Sequence, residues 1–488
     1  MTDIQFQSAT ALAGAVRRGE RSPVDLVDAY LDRIADRNEE LNAYVTVLED
    51  EARERAREAE QAIEEGADLG PLHGVPIAIK DLHQPKAGVP NTKGLKPLAD
   101  NVATETALVV ERLEAAGAIV LGTTNTPELG HTMRTDNELL GPTPTPFDPE
   151  GERNAGGSSG GSAAALADGL CALATGSDMG GSLRNPAACC HVVSVKPTYG
   201  LVPHDDRPDA FSSHTPFGVL GPMARTVDDV ALMLSVMVGK DDVDPFSVPA
   251  PDVDYQAATD RPADEYSLAF TPDLDTFPVA ESVRAVCRDA VDAVADAGVS
   301  VADITFGGPD KGDLTYAYGT TAAPQFARGA RILKREHGID VTGAAADDLS
   351  PSFVSTVTMG QGYDTDEYLD TNTIRTELYD AVEAVLADHD ALVMPALATP
   401  PLTHDEPYPT EIEGESAGGL PMDWGLTWPF NMTGHPVMSV PAGLTDDGLP
   451  IGLQLVGSRY AEDDLLAIAA AFEEANPWAD DYPGARGN

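Results

Sequence analysis

The sequence predicts an α/β protein, and three observations carry that prediction. Short apolar runs closed by glycine or proline alternate with helical stretches, most clearly from Val75 to Leu121. The 488 residues are 42% hydrophobic and 23% charged. That globular balance excludes a disordered chain, a collagen, a coiled coil and a small disulfide scaffold. No repeat or low-complexity linker breaks the chain, which favours one large domain over residues 1–488 rather than the roughly three that length alone suggests.

The elements follow in order. Ser8 can cap a helix that ends at Gly19, and Ser22-Pro23 places an N-cap before a proline at the first helical position. Val24, Leu26, Val27, Tyr30, Leu31 and Ile34 recur at helical spacing. Residues 51–65 are charged nearly all round, as a solvated helix is, so residues 1–66 read as N-terminal helices. Residues 71–80 read as a turn into a short buried strand, 106–116 as a helix and 118–121 as a strand. Residues 225–235 form a further helix, 240–265 an Asp- and Pro-rich loop, and 279–297 another helix. Residues 320–388 are mainly helical, 391–394 a strand, and 400–419 a polar loop. Residues 437–440 and 451–456 are two more strands. No apolar run reaches about 18 residues, so no transmembrane helix is expected.

Charge narrows the partners. Asp and Glu total 80, Lys and Arg 31, for a net charge of −49. Such a shell repels nucleic acid and anionic lipid. The acid is spread along the chain and lysine is scarce, a style that resembles salt-accumulating halophiles, whose solvent screens charge over ~3 Å. Met1 to Glu20 lacks a basic segment leading into an apolar core, and Arg17-Arg18 runs into Gly19-Glu20, so no export signal is expected. Cys171, Cys189, Cys190 and Cys287 include no Cys-x-x-Cys pair and read as reduced, buried thiols of a cytoplasmic protein.

Residues 154–200 are unusual. Only Asp168, Asp178, Arg184 and Lys196 are charged there, against a chain average of 23%. In so acidic a protein, such a stretch must be buried or line a pocket. It holds Gly156-Gly-Ser-Ser-Gly-Gly-Ser162, which runs straight into Ala163-Ala-Ala-Leu-Ala167 and so reads as a helix entry, not a linker. No lysine follows, which argues against a phosphate loop. Ser159 fits a nucleophile-elbow pattern, but the proline- and charge-rich residues before it are not the buried strand an elbow needs. Asp178-Met-Gly-Gly-Ser182 can turn successive amides inward as an oxyanion nest beside a nucleophile, or can be a tight turn with a surface serine. Lys80 ends an apolar strand. It is either ion-paired with Asp81 or desolvated into a general base. The ten histidines show no metal-ligand spacing. His191, His214 and His435 read as structural.

Taken together and in this spacing, Gly74-Val-Pro-Ile-Ala-Ile-Lys-Asp81, the 156–162 cluster and Asp178-Met-Gly-Gly-Ser-Leu-Arg-Asn-Pro-Ala187 resemble the motifs of the amidase signature family. Lys196-Pro-Thr-Tyr-Gly200, Gly221-Pro-Met-Ala-Arg225 and Gly448-Leu-Pro-Ile-Gly-Leu-Gln454 extend the resemblance over nearly the whole chain. It implies a large twisted mixed β-sheet covered by helices on both sides. Residues 70–232 would be the catalytic core, 235–420 a variable, mainly helical substrate-side region, and 421–488 a C-terminal return to the core.

The resemblance also implies amide hydrolysis without metal or cofactor, by a monomer or homodimer. Ser182 would be the nucleophile and form the acyl-enzyme, Ser158, on a cis peptide, the bridge, and Lys80 the base. The backbone N–H groups of Met179, Gly180, Gly181 and Ser182 would form the oxyanion hole. Asp178 and Arg184 would brace the loop. Two positions depart from the family pattern, His191 where glycine is usual and Ser194 where a smaller residue is common.

One branch of the family is the glutaminase subunit of tRNA-dependent amidotransferases, which is the alternative reading. Its glutamine-holding Arg and Asp would fall near Pro351 and Trp424, with Asp423 adjacent. Neither Pro351 nor Trp424 can hold a charged group, which favours a stand-alone amidase acting on an uncharged or apolar amide. Trp424, Trp428 and Phe430 would then either wall its pocket or pack the core.

Overall fold

The computed structural model describes residues 4–207, 209–211, 218–406, 408–418 and 420–484. His214 lies outside them. The strands are β1 Tyr44–Val47, β2 Pro76–Lys80, β3 Ile119–Thr124, β4 Leu173–Asp178, β5 Val193–Lys196, β6 Val219–Ala224, β7 Ser267–Phe270 and β8 Ser300–Asp303. They continue with β9 Ala391–Pro395, β10 Glu411–Ile412, β11 Glu415–Ser416, β12 Val437–Leu444 and β13 Pro450–Gly457. Eleven of them form one mixed sheet in the order β1-β3-β2-β4-β6-β5-β12-β13-β9-β7-β8, while β10 and β11 make a separate small hairpin. Helices cover both sides of the large sheet.

The arrangement explains where chemistry can sit. β2 runs parallel to both β3 and β4, pairing Ile77 with Leu173 and Lys80 with Thr124. Parallel neighbours finish at the same end of the sheet, so the loops after Lys80 and after Asp178 leave side by side. All three strands are buried along their whole length, which is why they read as continuous apolar runs rather than alternating ones. The Gly160–Ala167 helix packs on β2, β4 and β6 and is buried at every position. Its small residues are required there: a Cβ on Gly161 would stand 2.3 Å from the Asn125 nitrogen. Residues 154–200 are buried apart from Met179, Gly180 and Tyr199, as their lack of charge demands.

The outer helices follow their sequence signals. Ser8 caps Ala9–Arg17, and Ser22 accepts from the Val24 and Asp25 amides at the head of Pro23–Leu41. Glu281–Asp296 and Glu462–Ala475 pack on β12 and β13. The first 66 residues are not helical throughout, because Tyr44–Val47 pairs antiparallel with β3 and closes one sheet edge. Within 235–420, β7, β8 and β9 build the opposite edge. The long helix there starts at Lys311, ahead of residue 320, and runs to His337 through Pro324. The polar loop at 400–419 carries the β10–β11 hairpin. All four cysteines are free and buried. No helix among the described residues is long and apolar enough to cross a membrane.

Candidate active site

Lys80 is the last residue of β2 and is fully buried. Its amide donates to Gln84 Oε1 and Thr175 Oγ1, which fixes the strand end. Its Nζ lies 2.7 Å from Ser158 Oγ and 3.0 Å from both Ser159 Oγ and Ser177 Oγ. No carboxylate among the described residues pairs with it. Asp81 instead accepts from Asn91 Nδ2 and the Thr92 amide, at 2.9 and 3.0 Å. The ion-pair reading of Lys80 is therefore corrected: three hydroxyls surround the amine. Desolvation pulls its pKa down to about 7, with Asp178 resisting weakly.

A lowered pKa alone does not identify a base. Burial also pulls Lys196 to about 7, yet among the described residues its Nζ bonds only the Pro197 carbonyl, and it does not line the cavity described below. Lys80 differs by its hydroxyl partners.

The peptide between Gly157 and Ser158 is cis. A Cβ at Gly157 would meet the backbone of Arg134 at 2.6 Å, so only glycine fits before Ser158. Ser159 ties this loop to the next one through its amide, which donates to the Ser182 carbonyl at 3.2 Å. Its hydroxyl lies 3.3 Å from the Ser177 carbonyl. It serves as a partner to Lys80 and the loop, not as an elbow nucleophile preceded by a strand.

Ser182 follows β4 in a turn that needs glycine at Gly181, where φ is +103°. The Asp178 carboxylate holds this turn. It accepts from the Gly181 amide at 2.7 Å and the Leu183 amide at 3.1 Å. Arg184 grips both of its oxygens, at 3.0 and 3.1 Å, and Asn431 adds a bond at 2.8 Å. Desolvation alone would raise the Asp178 carboxyl, but Arg184 and Asn431 outweigh it and hold the pKa well below the usual range. Both charged side chains of this clamp are fully buried.

The Gly181 amide is thus engaged within the loop. Those of Met179, Gly180 and Ser182 donate to no acceptor among the described residues. Tyr318, on the Lys311–His337 helix, donates from Oη to the Met179 carbonyl at 3.2 Å. In a trans peptide the C=O and the following N–H point opposite ways. Holding the Met179 carbonyl therefore aims the Gly180 amide away from Tyr318.

Ser158 and Ser182 line one cavity of about 260 Å³. Leu82, Leu129, Met179, Val219, Phe326 and Ile332 give it an apolar wall. Lys93, Arg207, Arg328, Asp206 and Glu336 add charge around it. Trp424, Trp428 and Phe430 do not line it; all three are buried in the core. Trp428 packs on Tyr318 and Phe277 instead. Asp423 and Pro351 also lie off the cavity, Asp423 being 3.9 Å from Lys311.

Phe326, Ile332 and Tyr318 were not visible as site residues in the sequence, since a helix far along the chain delivers them. His191 adopts φ +57°, ψ 38° at a helix C-cap, the conformation that makes glycine usual there, and its ring packs on Phe147 and Tyr482. Ser194 is buried in β5.

A family model described as Amidase matches residues 25–466. An acylamidase of Rhodococcus erythropolis is 37% identical over 483 residues, covering 99% of this chain and 98% of its own length. The crystal structure of a bacterial aryl acylamidase belonging to the amidase signature enzymes superposes with a TM-score of 0.93 at 33% identity, covering 99% of each chain. A glutamyl-tRNA(Gln) amidotransferase subunit of Thermosynechococcus vestitus is 33% identical over 483 residues, covering 96% of this chain and 97% of its own. Motifs, fold and relatives agree: the chain belongs to the amidase signature family and is an amide hydrolase.

Proposed function

We propose that the chain hydrolyses carboxylic amides whose acyl or amine part is apolar, in the manner of an acylamidase, with Ser182 as nucleophile and Lys80 and Ser158 as proton relay. The observation that carries this reading is a buried lysine held by hydroxyls beside a cavity that also receives Ser182. A neutral amine has two N–H donors and one lone pair. Three hydroxyl neighbours suit it: Ser159 and Ser177 accept, and Ser158 donates to the lone pair.

The steps then balance. Lys80 takes the Ser158 proton as Ser158 takes that of Ser182, and the Ser182 oxygen attacks the amide carbon. The oxyanion is met by the free amides of the Met179–Ser182 turn, of which Gly180 is the one aimed by Tyr318. Lys80 returns its proton through Ser158 to the leaving nitrogen, the C–N bond breaks, and ammonia or an amine departs. Water then repeats the relay on the acyl-enzyme and releases the acid. The acid-rich surface supports work in multimolar salt, inside the cell.

The test is release of ammonia or aniline from aliphatic amides, aromatic amides, anilides and glutamine, by the lone chain in multimolar KCl. Turnover of anilides or simple amides is expected. Turnover of glutamine alone, or none without partner subunits, would replace this reading by the amidotransferase one.

A further inference from the structure

The loop after β5 brings three side chains together at the catalytic cavity that the sequence keeps apart. We propose that His83, His204 and Asp206 bind a divalent transition-metal cation of the zinc class, and that the bound ion restricts access to Ser182. His83 follows β2 by three residues. His204 and Asp206 lie beyond Lys196, more than a hundred positions later. One donor atom from each lies within 4.8 Å of the other two.

The spacing suits a small, borderline-soft cation. His204 Nε2 is 3.3 Å from Asp206 Oδ1. A tetrahedral zinc with bonds of about 2.0–2.1 Å has ligand–ligand edges of about 3.3 Å. That edge is already formed, and a His83 ring nitrogen lies within 4.8 Å of both atoms. The two imidazoles meet edge to face, with 5.2 Å between centroids and 72° between planes. His204 Nδ1 is buried with no hydrogen-bond partner among the described residues, and Nε2 is buried with the Asp206 carboxylate at 3.3 Å as its contact. An imidazole in that position is under-satisfied without a ligand. The His204 amide donates to Asp244 Oδ2 at 3.0 Å, which holds its backbone in place.

Donor type sets the class of cation. Two imidazoles and one carboxylate favour zinc, cobalt or nickel over magnesium or calcium, which prefer oxygen. Three protein ligands leave a fourth position for water or a substrate donor. Lys93 and Arg207 line the same cavity and oppose a cation there, while Glu336 offsets them. Since all three ligands line the cavity shared by Ser158 and Ser182, an ion there narrows the approach to the nucleophile.

The binding stands apart from the proposed reaction; only the effect on access rests on it. Zinc is titrated calorimetrically into the full chain and into His83→Ala, His204→Ala and Asp206→Asn in molar KCl, with magnesium as control. The expected result is one zinc per chain, at least tenfold weaker in each variant, and no matching magnesium heat. Anilide hydrolysis is followed over the same zinc range, and zinc is expected to slow the wild type but not the histidine variants. Absence of zinc heat, or equal heat in all four proteins, overturns the site; the second result assigns the zinc to surface carboxylates. Site-dependent binding without an effect on rate overturns the restriction of access. An enzyme inactive on every amide leaves the calorimetric result to decide the binding alone.

Discussion

At the scale of single residues, the proposed chemistry reduces to one amine whose surroundings keep it neutral. An ammonium in water would hold its proton until about pH 10.4. Lys80, desolvated and without a carboxylate partner, titrates at about 7. The base works only when deprotonated. Activity is therefore expected to fall as pH drops through about 7 and to level off above it, and kcat/KM against pH reads that limb. Lys80→Ala should lose at least ~10³-fold in kcat, because among the described residues no other basic side chain hydrogen-bonds Ser158. A loss below tenfold, or a limb unmoved by the substitution, assigns the proton to another group. Ser182→Ala should lose at least ~10⁴-fold with an unchanged circular dichroism spectrum, since one hydroxyl leaves a turn that Asp178 still holds. Rates near wild type would remove Ser182 from the mechanism.

At the scale of elements, the candidate site is two turns at one end of the sheet's strands, and their supports come from distant parts of the chain. Arg184 spans Asp178, the Thr427 carbonyl, Asn431 and Gln454. Arg184→Met leaves the Asp178 carboxylate buried and unpaired. It should destabilise the fold by about 3–5 kcal/mol in a urea titration. A change under ~1 kcal/mol would mean that Asn431 and the two turn amides suffice. Tyr318→Phe removes the hydroxyl that bonds the Met179 carbonyl. It should lower kcat about tenfold with little change in KM, because the loosened Gly180 amide matters most to the oxyanion; a KM effect alone would make Tyr318 a substrate contact.

These supports mark the boundary of what the sequence could tell. The motifs around Lys80, Ser158 and Ser182 were legible because glycines and a misplaced lysine break the local pattern. The charge-poor stretch 154–200 was legible as buried for the same reason. Tyr318, Phe326 and Ile332 were not, since a helical position facing a pocket looks like one facing a core. For the same reason the sequence left Trp428 open between pocket wall and core, and its ring packs on Tyr318 behind the turn. β1, β7 and β8 were missed because four residues give too little periodicity to read, and sheet pairing decides them.

At the scale of the molecule, two electrostatic regimes sit in one chain. Outside, most of 80 acidic groups face solvent with only 31 basic ones to offset them. Inside, Ser158 and Ser182 lie in a segment almost free of charge. Salt acts on the two differently. It shortens the Debye length from ~10 Å at 0.1 M to ~3 Å at 1 M, which screens exposed charges but barely reaches buried ones. The melting temperature should therefore climb with KCl, most steeply below about 1 M, as self-repulsion of the folded shell is relieved. The midpoint of the acid limb, set by desolvation of Lys80, should move little over the same range. Sucrose strengthens folding by exclusion without screening, so it serves as the control. An equal rise in sucrose would assign the effect to exclusion, and a flat melting curve in KCl would end the high-salt reading. A limb that shifts with salt as strongly as the melting temperature would place Lys80 in contact with the surface field, against its full burial.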